Sequence, residues 1–404
     1  MKPAYDLTVV GGGIVGLAVA RAVLSRRPGT RVLVLEKEAA VAAHQTGHNS
    51  GVVHTGVYYR PGSLKAQLCV GGAREMIAYC RERGLPLAIP GKVIVATESS
   101  ELARLREVQR RGEANRVEGL RWLDAGALRE QEPHVRGIAA LHLPTAAIVD
   151  YAAVARSYAG EIAAAGGEVR TGAEVTGFRA AAERVTVESA QGAFETDAVV
   201  NCAGLQADRI AAVAQGKGGI RELAVLPFRG EYYQLAPPAA GLIRGLVYPA
   251  PDTRFPFLGV HFTPRVHGGV EAGPNAVLAW KREGYGRFDW SLRDAAATLG
   301  YPGFWAMAAR YWRKGLAEER RSLSRHAFIR ALRRLLPELR DEDVRPGGSG
   351  VRAQVVLRNG TLMDDFHVLR HGRFVHVINV PSPAATASLA IGRYLAAQLA
   401  AAAS

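Results

Sequence analysis

The feature that most constrains this chain is a short unit near its start: an apolar strand at residues 7–10, three spaced glycines, a helical pattern at 14–25 and a second strand at 31–36. Gly11, Gly13 and Gly16 form G-x-G-x-x-G between the strand and the helix. The first glycine permits a tight turn, the second lets backbone approach a pyrophosphate, and the third allows helix and strand to pack closely. The pyrophosphate then rests on the first turn, at Ile14 and Val15, where unpaired N–H groups and the helix dipole favour an anion. Glu36 ends the second strand at the position where an acid accepts both ribose hydroxyls, and Lys37 after it is a further candidate cofactor contact. An acid there disfavours a 2′-phosphate, and with it NADP. The triplet alone is weak evidence; with its strands, helix and acid it specifies a dinucleotide site. It leaves FAD and NAD open.

The rest of the chain reads as a mixed α/β protein. At 404 residues it can bury a large core and form two or three domains. Helical patterns recur at 64–83, 101–115 and 151–165, and strand patterns at 168–170, 174–179, 184–189 and 193–200. From about 221 to 277, strands broken by Pro and Gly indicate a second sheet. Strands near 354–357 and 374–379 and a closing helix at 386–400 are expected to return to the first domain. This gives a Rossmann-like nucleotide domain over about 1–85, 145–220 and 345–404. A substrate domain on a largely antiparallel sheet covers about 86–144 and 221–344.

Composition narrows the setting. Hydrophobic residues make up 48% and charged residues 22%, the balance of an ordinary globular protein. Cys69, Cys80 and Cys202 form no CxxC pair, so a metal or disulfide framework is not expected. The start shows no signal-peptide pattern, and no apolar run reaches the roughly 18 residues of a membrane span; a cytoplasmic protein is expected. The net charge of +14 is concentrated at 309–340, where ten Arg and Lys residues face three acids and aromatic residues lead in. A solvated helical face, docking on an anionic inner-membrane surface, and nucleic-acid binding compete. No recognition motif accompanies the last, so no nucleic acid is expected. Oligomeric state cannot be read from the sequence.

A loop from 38 to 63 follows the nucleotide unit, too long to be an idle connection. Its Thr46, Asn49, Ser50 and Gly51 are small or hydrogen-bonding residues suited to run along an extended cofactor. Two further turns, at Ala203 and Gly204 and at 379–386, lie near strand ends. A large cofactor touched by several distant segments fits FAD better than NAD.

The segments GGGIVGLA (11–18), HQTGHNSGVVHTGVYY (44–59) and PGSLKAQLCVGG (61–72) resemble those of the bacterial L-2-hydroxyglutarate oxidases. So do FRGEYY (228–233), PFLGVHFT (256–263), GPNAVLAWKREGY (273–285), GVRAQ (350–354) and PSPAATAS (381–388). The resemblance runs in order along nearly the whole chain. It implies a D-amino-acid-oxidase-like flavoprotein that holds FAD and oxidises L-2-hydroxyglutarate to 2-oxoglutarate, passing electrons to a quinone pool or to oxygen. It also implies that Val175 lies on a strand offering backbone to adenine, and that Ser382, Ala384, Ala385 and Thr386 face the pyrimidine end of the flavin. The arginine density at 310–340 is the clearest departure. Rival readings are a glycerol-3-phosphate dehydrogenase or an amine oxidase of the same fold, and a flavin-containing nucleic-acid-modifying protein.

Oxidising an α-hydroxy acid requires a base for the hydroxyl proton, a hydride acceptor and cations for the carboxylates. Bidentate guanidinium pairing suits a carboxylate, and Arg352 in GVRAQ is the preferred anchor. His54, at the end of the flavin loop, and His261, after the apolar run 257–260, compete as base. Arg229, Tyr248, Lys281 and Lys65 are secondary candidates for the distal carboxylate of a small dicarboxylate or for the site wall.

Overall fold

The nucleotide unit forms as its pattern dictates. The computed structural model describes residues 4–181, 183–216, 221–251 and 259–401. Strand Ala4–Val10 leads through the glycine turn into helix Ile14–Arg26, and strand Val32–Leu35 returns parallel to the first. The four side chains of Val32–Leu35 are all buried, on both faces of the sheet. Each is worth about 1.5–3 kcal/mol of hydrophobic transfer, so the sequence VLVL has no stable exposed alternative.

Among the described residues, eight strands make the first sheet. Its centre is parallel: Glu168–Arg170, Val32–Leu35, Ala4–Val10, Gly192–Asn201 and Phe374–Asn379 lie side by side. Beyond Gly192–Asn201 the sheet forks: Val185–Ser189 and then Val175–Ala180 continue it antiparallel from the start of that strand, and His367–His371 extends it antiparallel from Phe374–Asn379 at its end. Helices Ile14–Arg26, Tyr151–Ala164 and Ser388–Ala401 pack together over it. A Cβ on Gly392 would stand 2.4 Å from the Ala18 carbonyl, so glycine sets how closely two of these helices approach.

The second sheet has nine strands among the described residues and is largely antiparallel. The sequence reading anticipated its strands between 221 and 277 but passed over Lys92–Ala96, Arg121–Asp124 and Ala139–Leu143, which complete it. One expectation is corrected. The strand foreseen at 354–357 runs from Val344 to Leu357 and pairs along its length with Leu223–Leu235 in the second sheet. Its apolar end invited assignment to the buried first sheet, but its hydrogen bonds lie with the long neighbour. The basic stretch likewise divides at Ser324, whose hydroxyl caps a new helix, giving Pro302–Leu323 and Arg325–Leu332.

A three-stranded ribbon, Val52–Val53, Ala147–Val149 and Leu87–Ala88, includes the middle of the long loop. Among the described residues, no helix is long and apolar enough to cross a membrane.

Candidate active site

A cavity of about 590 Å³ runs from the start of the first helix to the second sheet. Gly13, Ile14 and Val15 line one part; His54, Tyr248, His261 and Arg352 line another.

At the nucleotide end, backbone geometry does most of the work. Gly11 has φ +110°, and a Cβ there would meet the Cys202 carbonyl at 2.5 Å. A Cβ on Gly16 would lie 2.1 Å from the Gly11 carbonyl. Gly13 caps the helix without a side chain, and Thr46 Oγ1 accepts the Ile14 N–H at 3.0 Å. Glu36 is buried, its carboxylate accepting the Gly12 N–H at 2.7 Å and the Glu38 N–H at 2.9 Å. Each oxygen keeps capacity for a second hydrogen bond. Val175 is buried beside this end: the N–H groups of Gly172 and Ala173 donate to the carbonyls of Glu38 and Glu36. Lys37 turns elsewhere. Its ammonium bonds Glu38, His44 Nε2 at 3.0 Å and Glu283 at 2.9 Å, tying the loop to the second sheet's connections. Glu38, His44 and Glu283 converge closely enough to suggest a metal site, but Lys37 already supplies the positive charge at their centre.

The long loop is pinned rather than free. The Asn49 amide donates to the carbonyls of Gln45 and Thr46, and its oxygen accepts the Gly51 N–H at 2.8 Å. Gly51 has φ +71°, and its carbonyl accepts the Val149 N–H. Asn49 thus shapes the wall that Thr46 and Ser50 also line. Thr386 closes the far side: its hydroxyl accepts the His54 N–H at 3.1 Å and bonds Tyr151 at 3.0 Å. Ser382, Ala384 and Ala385 line the same turn, and Gly204 lines the cavity while Ala203 does not. This cradle is long, lined by small residues, and opens onto a helix N-terminus, so the residues present fit a dinucleotide with an attached ring system.

Beyond the cradle the lining becomes chemical. Burial drives both His54 and His261 down to about 3, with the Lys92 charge adding to each, so both imidazoles are neutral near pH 7. His261 Nδ1 lies 2.8 Å from the Gly259 carbonyl. A carbonyl only accepts, so Nδ1 carries the proton and Nε2 keeps a lone pair. The ring stacks on Tyr248 at 3.7 Å. His261 opens the strand His261–Pro264; residues 257 and 258 of the apolar run that pointed to it lie outside the described residues.

Arg352 stands opposite Phe228 in the long strand pair and lines the cavity. Lys65, only 7% exposed, pairs with Asp364 at 2.9 Å and lies over the Tyr59 ring at 4.8 Å. Burial lowers the pKa of both Arg352 and Lys65, with Asp364 opposing the fall in each. Arg229 also lines the cavity, but it donates to the Gly286 carbonyl and to Glu231. Lys281 is exposed and does not line the cavity. The sequence reading missed Lys92 and Tyr58. Lys92 carried a usable signal, being the single charge in the otherwise apolar run KVIVA.

Residues 6–398 match the family described as FAD dependent oxidoreductase, DAO. The chain belongs to this family. It is 44% identical to the L-2-hydroxyglutarate dehydrogenase of Indibacter alkaliphilus, over 96% of this chain and 97% of that protein. It is 41% identical to the enzyme of the same name from Escherichia coli K12, over 98% and 93%. In fold it is similar to the FAD-bound L-alpha-glycerophosphate oxidase of Mycoplasma pneumoniae, with a TM-score of 0.79 at 21% identity, over 98% of this chain and 95% of that one. The cofactor is FAD, and the chain is an FAD-dependent oxidoreductase.

Proposed function

We propose that the enzyme oxidises L-2-hydroxyglutarate to 2-oxoglutarate. The observation that carries this is one cavity holding two neutral buried histidines together with the cations Arg352 and Lys65. Full-length relatives named for that substrate support it. Bound FAD supplies the hydride acceptor, at its N5. His261 Nε2 takes the hydroxyl proton as the C–H bond breaks and the C=O bond forms. Arg352 and Lys65 hold the two carboxylates. A neutral base is needed because an imidazolium could take no proton, and burial keeps it neutral. His54, its backbone tied to Thr386, lines the cavity beside the place where cofactor and substrate meet.

The fold shared with a glycerophosphate oxidase leaves a phosphate substrate as the reading to test against. Anaerobic bleaching of the flavin by a panel of L-2-hydroxyglutarate, glycerol 3-phosphate and glycine separates them. The first should bleach fastest, and faster bleaching by either of the others overturns the assignment.

We also propose a nucleotide domain of about 1–85, 145–220 and the segment after 357, with the remainder forming the substrate domain. Electrons then leave for a membrane quinone pool. Trp305, Trp312, Leu316 and Leu323 are each more than half exposed and fall on one face of helix Pro302–Leu323. Arg313 and Arg320 flank that stripe, an arrangement suited to an anionic lipid surface. Arg333 and Arg334 pair instead with Asp341 and with Glu98 and Glu101, so they serve the fold.

A further inference from the structure

Strand Lys92–Ala96 carries a charge at a place where the fold has no need of one. Lys92 is 4% exposed, and its Nζ lies 3.4 Å from the Tyr248 ring centroid and 4.7 Å from that of Tyr58. The His261 imidazole stacks on the same Tyr248 ring at 3.7 Å and an interplanar angle of 20°. Two groups so close to one centroid must occupy its opposite faces. Ammonium, phenol and imidazole therefore form a three-layer stack.

The strands enforce this arrangement. Lys92–Ala96 runs parallel to Leu246–Pro249, with Lys92 beside Leu246 and Ile94 beside Tyr248. The next strand pairs Phe262 with Val247, which brings His261 to Tyr248. An apolar residue would fill the Lys92 site at lower cost, since a buried cation loses its hydration and two ring faces return only part of it. Burial accordingly pulls Lys92 well below the ordinary lysine range. Among the described residues, the groups that face the two histidines are Lys92, Lys65, Tyr248, the Gly259 carbonyl and each other. The cations among them all disfavour an imidazolium.

We propose that Lys92 is a positioning residue of the active site, its ammonium acting across the Tyr248 ring, in addition to burial, to extend the acid range over which His261 stays an unprotonated base turned to the cavity. This rests on the reading of His261 as the base. It gives a reason for a lysine where packing alone would select an apolar residue.

The test is the NMR titration of nitrogen-labelled histidine in the holoenzyme, with the His261 signal assigned from His261→Gln. In Lys92→Met the His261 midpoint should rise by about one to two pH units, the effect of a nearby charge at an effective dielectric of about 20. In Lys92→Arg it should stay near the wild-type value. The acid limb of flavin reduction should move with it in Lys92→Met, while 2-oxoglutarate affinity changes less than about threefold. An unmoved His261 midpoint in Lys92→Met overturns the proposal. So does a change in affinity alone, which would make Lys92 a carboxylate counter-charge. Loss of flavin in both Lys92→Met and Lys92→Leu also counts against it, since a residue acting through Tyr248 is dispensable to the fold. The titration needs no substrate, so its result stands apart from the identity of the hydroxy acid.

Discussion

The two ends of the cavity are built by different means. The nucleotide end is made mostly of backbone: three glycines, a helix start whose cap residue has no side chain, and one acid, all within residues 11–36, with the Thr46 hydroxyl added from the loop. The other end, the proposed substrate site, is made of side chains that arrive from 54, 65, 248, 261 and 352, on separate elements. Backbone sites tolerate almost no added atom. Side-chain sites tolerate substitution structurally and lose chemistry instead.

The comparison is broken most directly at Gly16. The Cβ of Gly16→Ala would collide with a carbonyl oxygen that cannot retreat without opening the turn. The expected outcome is a folded protein with little or no flavin, read from the ratio of flavin to protein absorbance. Full occupancy would remove the glycine turn from the binding account.

His261→Gln probes the other end. Flavin content should be preserved, while flavin reduction should slow by about 10²–10⁴-fold, the usual contribution of a positioned base. A rate within a few-fold of wild type would transfer the role to His54. The pair of outcomes, binding lost at one end and rate lost at the other, is what the two constructions require.

The pH dependence of stability sharpens the contrast further. His54 and His261 fall to about 3 in the folded protein against an ordinary value of 6.5, so between those limits the unfolded chain binds more protons. Stability should be fully present above pH 6.5 and be lost as pH falls toward 3, by at most about 1.4 kcal/mol per pH unit for each histidine. The melting temperature between pH 7 and pH 5 should therefore fall less steeply in a His54→Gln/His261→Gln protein. Parallel slopes would mean that these imidazoles are not held neutral.

The smallest effect is expected on the outer surface. Reversing Arg313 and Arg320 to Glu should weaken sedimentation with anionic vesicles at low salt and leave flavin reduction within about twofold. Unchanged vesicle binding would make the exposed stripe an ordinary solvated face.

The same division explains what could be read from the sequence. Local rules suffice for the nucleotide end, because turn, helix start and acid are contiguous, and the observed elements differ from the expected ones by a residue or a few. The convergence of His261, Tyr248 and Lys92 depends on strand neighbours that no local pattern reveals. The strand Val344–Leu357 was misassigned for a related reason: apolar alternation tells which residues are buried, but not in which sheet. Lys281 failed as a candidate because a cation in a resembling segment need not point inward. Lys37, read as a cofactor contact, is taken up by a network with Glu38, His44 and Glu283 that joins residues far apart in the chain.

The side-chain end is proposed as a site for a hydroxy dicarboxylate. Stopped-flow flavin reduction without oxygen, comparing L-2-hydroxyglutarate with L-lactate, tests it most directly. Lactate leaves one of Arg352 and Lys65 without its carboxylate, so reduction should be slower by a factor of 10² or more. Equal rates with the two acids would contradict the account.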